Sequence, residues 1–210
     1  MRTQLAAALL SVATLSAGTL LAQSSQSPST PSQPAAPAAI PSRPQPGDPH
    51  QTAASLADQV PPAASEDVKS PEAIVAACYN VISGPAGERN WSRFRSLFIP
   101  AARLSSSSVL PSGAQSILLL TVDDYVRLAG AGFSKAGFFE NSLHNEVRTF
   151  GDVGQIFSSY ESRHAPSEQP FQRGINSFQM IYDGHRWWII SIAWDDERKD
   201  NPLPPEFSHK

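Results

Sequence analysis

The chain reads as an α+β domain, helices first and then a run of antiparallel strands, an order that packs helices on one face of a sheet. Three observations predict it. Residues 171–197, FQRGINSFQMIYDGHRWWIISIAWDDE, form two long apolar arms joined at Tyr182-Asp183-Gly184-His185, and Asp-Gly tolerates the positive φ of a tight hairpin turn. The second arm is dense in Trp and Ile, which suit a pleated, half-buried surface. Before Phe138 apolar residues recur at helical spacing, and after it the pattern is that of strands. Both hairpin arms exceed a typical strand, so they are expected to be the spine of a curved sheet.

At the N-terminus, Arg2 supplies a small positive region, Leu5 to Leu21 is apolar and small, and Leu20-Leu21-Ala22 resembles a cleavage site before Gln23. Residues 1–22 are therefore read as a signal peptide, and the mature chain as periplasmic or secreted. A membrane anchor fits less well, because Thr3, Gln4, Ser11, Thr14, Ser16 and Thr19 dilute a run already short for a span. No membrane contact is expected after cleavage.

Ten of the 19 prolines lie between Pro28 and Pro62. Residues 23–66, rich in Pro, Ser and Ala, cannot bury enough surface to offset the entropy of ordering them. They are read as a disordered, semi-stiff linker. One globular domain of about 130 residues, an ordinary size for a single core, remains at 67–198. Charge and Pro202, Pro204 and Pro205 make 199–210 a flexible tail.

Within the domain, Ser70, Pro71 and Glu72 make a helix start, with Ile74, Cys78, Val81 and Ile82 on its apolar side and Gly84 at its end. A second helix is expected from Asn90, with Trp91, Phe94, Leu97 and Phe98 as its stripe and Pro100 as its stop. Arg103-Leu104 can begin a short strand, Ser105 to Ser108 and Pro111 to Gly113 look like loop, and 116–120 is a short strand or a helix lead-in. Thr121 to Asp124 fits a capping box for a helix that fades by Gly132. Strands then follow at 138–150 and 153–163, broken at Gly151-Asp152, ahead of the hairpin.

Several function classes are excluded. The net charge is −3 and no basic stripe stands out, so no nucleic acid is expected. Cys78, the only cysteine, reads as a small buried hydrophobe. His144-Asn145-Glu146 lacks a third metal ligand, and no Gly-rich phosphate loop or nucleophile elbow is present, so neither metal nor cofactor is expected. Glu140, Glu146 and Glu161 read as cross-strand partners of Arg148, Arg163 or Arg173. The competing reading is a buried Glu or His with a shifted pKa, suited to proton transfer. Asp195-Asp196-Glu197 reads as a solvated strand end.

The element order, with Tyr79 on the first helix, FGDVGQIFSSYESR at 150–163, RGINS at 173–177 and DGHRWWIISIAW at 183–194, resembles the NTF2-like (nuclear transport factor 2-like, SnoaL-like) cone fold. That resemblance implies a bent sheet wrapped over helices, a deep pocket and a homodimer through the outer sheet face. It places Trp188, Ile190, Ile192 and Trp194 inward on the last strand, and Gln172, Asn176 and Met180 inward on the one before. Tyr160 would share the cavity, with Arg173 at its rim. Tyr79, Tyr160, Asn176, Arg173 and Trp194 are thus the expected ligand-binding residues.

The resemblance extends to ketosteroid isomerases, whose oxyanion-hole tyrosine Tyr79 could match. An acid is nevertheless missing from Ala101 to Leu104 and from Gly174, where that chemistry needs two. The expected function is therefore a pocket for a small, largely apolar ligand, without catalysis. The alternatives are an enzyme of cyclase, isomerase or dehydratase type using an unusual pair such as Tyr79 with Glu140 or His144, and a structural or interaction module. A carboxylate or histidine pointing into the cavity would favour the enzyme.

Overall fold

The computed structural model describes residues 50–208. The signal peptide read at 1–22, and the linker as far as residue 49, lie outside the described residues. Within the rest of the linker stretch, a five-residue helix α1 (Ala53–Ala57) is capped by Thr52, whose hydroxyl accepts from Ser55 N. A 3₁₀ turn at Ser65–Asp67 follows. The chain already packs against the domain here. Val68 is buried, and Asp67 takes the Arg93 guanidinium in a two-bond fork at 2.7 and 2.9 Å.

Helix α2 (Pro71–Ile82) starts as its sequence dictates: Ser70 caps Ala73 N at 3.1 Å and Pro71 fills the first turn. Its last carbonyls would be left unpaired. Ser83 takes two of them, its hydroxyl donating to the Tyr79 carbonyl and its N–H to that of Asn80. Arg89 donates to the Ile82 carbonyl and to those of Gly84, Pro85 and Gly87 in the loop beyond. Helix α4 (Val122–Phe133) carries the expected Thr121–Asp124 capping box.

The second helix is shorter than its stripe suggests. Helix α3 covers only Trp91–Arg95, and Phe98 already opens strand β1 (Phe98–Val109). Pro100 sits inside β1, where the ladder to the next strand is interrupted between Phe98 and Arg103, a place that tolerates a residue without an N–H. The four serines 105–108 are strand, not loop. They pair with β2 (Gln115–Leu120) on one side and, at Ser105 and Ser106, with Ala193 and Trp194 on the other. Two flanking ladders override the weak strand preference of serine.

Strands β3 (Phe139–Phe150), β4 (Val153–Arg163), β5 (Gln172–Tyr182) and β6 (Trp187–Asp196) complete one sheet in the order β2-β1-β6-β5-β4-β3. All neighbours are antiparallel except β1 and β6, which run parallel. The sheet is curved and carries its helices on the inner face, so the α+β cone class holds. The core joins Ile74, Phe94, Leu97 and Phe98 to Ile156, Phe178 and Ile189.

Register irregularities shape this sheet. On β5 and β6 the pairing steps from Gln179–Ser191 to Met180–Ile189, which leaves Ile190 as an extra residue. The β6 residues that pack on the core are therefore Trp187, Ile189, Ile192 and Trp194. The expected set with Trp188 and Ile190 fails at this bulge, because one inserted residue reverses the alternation beyond it. Trp188 is instead enclosed at the hairpin end, where its indole N–H donates to Asp183 at 2.6 Å and Arg186 lies over its ring.

Residues 199–208, read from the sequence as part of a tail, run back over the outer face of the sheet. Phe207 is buried edge-on against the rings of His144 and Phe157, and Leu203 N donates to Glu197.

Candidate functional site

Between α2, α4 and the inner face of the sheet lies a cavity of about 160 Å³. Tyr79 reaches it from α2, Tyr160 from β4, Asn176 from β5 and Trp194 from β6, so four of the five expected residues meet in one place. Arg173 does not join them. It follows Gln172, a lining residue, and strand alternation turns it to the opposite face, where its guanidinium pairs with Glu197 at 2.7 Å.

The polar floor is a directional chain. Asn176 Nδ2 donates to Tyr79 Oη at 3.1 Å, and Tyr79 Oη lies 2.7 Å from Ser158 Oγ. Ser158 donates to Ser142 at 3.4 Å, and Ser142 to Asn145 at 2.8 Å. With Asn176 donating at one end and Ser158 donating at the other, the Tyr79 proton goes to Ser158. Tyr79 therefore fixes the Asn176 amide rather than offering a donor to the cavity.

Glu140, read from the sequence first as a cross-strand partner and otherwise as a buried proton-transfer group, lines the cavity. It was expected in a cross-strand ion pair, but those arginines have other carboxylates: Arg148 takes Glu146, Arg163 takes Glu161 and Arg173 takes Glu197. The cause is a bulge on β3. From Phe150–Val153 to His144–Ser159 the hairpin pairs in simple register, which if continued would set Glu140 beside Arg163. The register slips between Ser142 and His144, so Glu140 faces Ser162 instead and turns inward. Ser162 Oγ donates to its Oε2 at 2.7 Å. Nothing in the order of residues marks that slip, and only the parity of Ser162 with Tyr160 hinted at an inward position.

Burial lifts the Glu140 carboxyl from the ordinary carboxylate range to about 7; hydrogen bonds from Ser162 and Asn176 oppose the rise and the nearby Asp196 charge adds to it. Glu140 is half-buried and lines the cavity. Burial pushes the Cys78 thiol and the Tyr79, Tyr125 and Tyr160 hydroxyls up, so these stay neutral at ordinary pH.

The two positions where an isomerase-type acid was missing are occupied otherwise. Ala102 is buried and Leu104 lines the cavity. At Gly174 a Cβ would lie 2.5 Å from Tyr160 Oη, so the tyrosine ring fills that space and its hydroxyl donates to Asp196 at 2.6 Å.

A larger groove of about 620 Å³ crosses the outer face, walled by Ile117, Phe157, Ile175 and the returning Pro202–Pro204 segment. Its acids, Asp195 and Glu197, are paired with Arg198 and Arg173. Size favours the groove, but the unpaired ionisable group lies in the smaller cavity, and chemistry follows the group.

No family model matches the chain, and no curated protein matches it. Solved structures do. A protein of unknown function from Mycobacterium tuberculosis is 12% identical with a TM-score of 0.48, over 65% of this chain and 76% of that one. A protein of cystatin-like fold from Nostoc punctiforme is 9% identical with a TM-score of 0.47, over 60% and 87%. An NTF2-like protein of unknown function from Silicibacter pomeroyi is 14% identical with a TM-score of 0.42, over 60% and 92%.

Proposed function

We propose that the domain binds a small, largely apolar ligand in the inner cavity, with the polar end of the ligand at Glu140 and Asn176. One observation carries this reading: a carboxyl group lies inside a largely aromatic and aliphatic cavity, whose other polar lining groups are neutral, and is bonded to neutral side chains alone. Drug-sized sites span about 300–1,000 Å³, whereas an apolar cavity of about 150 Å³ takes benzene. At about 160 Å³ this one suits a ligand of single-ring size.

Titration of the full chain with cyclopentanol tests it. Trp194 lines the cavity and serves as the fluorescent reporter. A saturable change that is lost in Trp194→Phe, and an affinity that falls about tenfold in Asn176→Leu, is the expected result. The absence of heat and of any spectral change at millimolar ligand would sink the reading.

A second reading, proton transfer, rests on the same carboxyl, which at about 7 is poised to act as acid or base near neutral pH. Solvent-deuterium exchange into cyclopentanone, followed by NMR, should exceed the buffer rate and fall to it in Glu140→Gln. Exchange that survives the substitution removes Glu140 from that role.

We propose further that the chain is exported with cleavage before Gln23, and that it pairs through the outer sheet face, where Ile117 and Leu119 are exposed. Exported material that begins at Met1, or a monomer mass at micromolar concentration, would refute these in turn.

A further inference from the structure

We propose that the ligand of the inner cavity is a small organic ammonium ion, an apolar body carrying one amine. This deepens the reading of the cavity as a ligand site and rests on it.

The lining itself argues for a cation. Of its thirteen residues, six are aromatic: Tyr79, Phe94, Tyr125, Phe138, Tyr160 and Trp194. None is a lysine, arginine or histidine. Aromatic faces attract cations, most strongly where water is excluded. Within this ring of aromatics stands Glu140, and behind Tyr160 stands Asp196, so two acids share the region.

A buried carboxylate ordinarily finds a cationic partner, because an uncompensated charge in a low-dielectric site is costly. Every arginine the sequence offers to Glu140 is engaged elsewhere, and Ser162 and Asn176 are neutral. The partner is therefore missing from the protein, and a bound ammonium would supply it. An anionic ligand meets the opposite situation, since its charge would face Glu140 and Asp196 with no cation to offset it. A neutral ligand would leave the Glu140 carboxylate without a counter-charge and the aromatic faces without their favoured cation.

Recognition should then depend on pH through Glu140. The groups that face it are Cys78 and Tyr79 of α2, Tyr125 of α4, Tyr160 and Ser162 of β4, Gln172 and Asn176 of β5, and Asp196 of β6. The thiol and the phenols stay neutral, and Asp196 contributes negative charge. An ammonium ion selects the ionised carboxylate, so its affinity should fall as pH drops below the Glu140 titration, by roughly tenfold per unit at the limit.

Three probes of one ring size decide the matter: cyclopentylammonium, cyclopentanol and cyclopentanecarboxylate, titrated into the full chain by calorimetry at pH 8 and pH 5.5. Cyclopentylammonium should bind at least tenfold more tightly than cyclopentanol at pH 8, lose most of that margin at pH 5.5, and lose it at both pH values in Glu140→Gln. Cyclopentanol binding as well as the amine, or the carboxylate binding best, overturns the ammonium proposal and leaves the ligand site standing. Binding by none of the three overturns both. The wild-type panel decides even if the variant fails to fold.

Discussion

The Tyr160 hydroxyl donates to Asp196 Oδ1 at 2.6 Å, and the ring that carries it lies against the bare backbone of Gly174. The three residues sit on adjacent strands, with Tyr160 paired to Gly174 and Gly174 paired to Asp196. A side chain at 174 would separate the phenol from its acceptor. The glycine thus belongs to the cavity wall as much as the tyrosine does.

Gly174→Ala tests that contact. The new Cβ would lie 2.4 Å from the Asp195 carbonyl oxygen and 2.5 Å from Tyr160 Oη, so backbone and ring must both move. Overpacking of this kind costs about 1–3 kcal/mol. In urea melts, Tyr160→Ala should recover part of that loss, because only the backbone clash then remains. Strict additivity of the two substitutions would show that the ring does not rest on residue 174.

Glu140 should make stability fall as pH rises through the weakly acid range. A carboxyl raised from 4.5 to about 7 holds its proton more tightly folded than unfolded, so the native state binds more protons between those values. Below about 4.5 both states are protonated, and above about 7 both are ionised. Across the window, wild type should lose on the order of 3 kcal/mol relative to Glu140→Gln, at about 1.4 kcal/mol per unit of pH. Paired melts from pH 4 to 8 give the difference directly, and a flat difference would mean that the carboxyl is not desolvated.

The helix signals and the hairpins were legible because each is local: Ser70-Pro71 caps its helix, Thr121–Asp124 boxes its own, and Gly151, at φ +54°, makes its turn. Tyr79 on its helix, and Tyr160, Asn176 and Trp194 on their strands, were legible through the resemblance to the cone fold, which set the inward face that strand alternation then extends. What stayed hidden depends on single-residue slips. The bulge after Ser142 turns Glu140 from the Arg163 side into the cavity, and the bulge at Ile190 separates Trp188 from Trp194. A bulge costs little locally and inverts everything beyond it, so residue order alone does not announce it. The strand at Ser105 to Ser108 was hidden for another reason, since its hydrogen bonds come from neighbours distant in sequence.

Phe207 should hold the C-terminal segment against the sheet. It is 6% exposed and packs on Phe157 and His144, while the stretch before it is polar and proline-rich. Phe207→Ala removes that anchor, and a buried Phe→Ala change costs about 3–5 kcal/mol. Trypsin cleavage after Arg198 or Lys199 should accelerate severalfold in the variant. An unchanged cleavage rate would mean that the segment is held by Leu203 and Asn201 instead.

Asp183 should be the most sensitive position of the β5–β6 hairpin. Its Oδ1 accepts from His185 N and Arg186 N at 2.8 Å each, and its Oδ2 accepts from Trp188 Nε1 at 2.6 Å. Trp188 is fully buried, so its indole N–H has no access to water. Arg186 closes the assembly, 3.7 Å above the Trp188 ring and donating to the Ser96 carbonyl. Asp183→Ala leaves the indole donor unpaired, a loss of about 2–3 kcal/mol. Asp183→Asn should lose less, because the amide oxygen still serves one side of the fork while its NH₂ faces donors on the other. Burial alone would raise the Asp183 carboxyl, but the bonds from Trp188, Arg186 and His185 outweigh it and hold it below the ordinary value. Its contribution is therefore full above about pH 3.8 and is lost as pH falls through the folded value. Urea melts at pH 7 and pH 3 should show the gap between wild type and Asp183→Ala shrinking at the lower pH, and a gap that stays constant would show that the indole bond does not depend on the carboxylate charge.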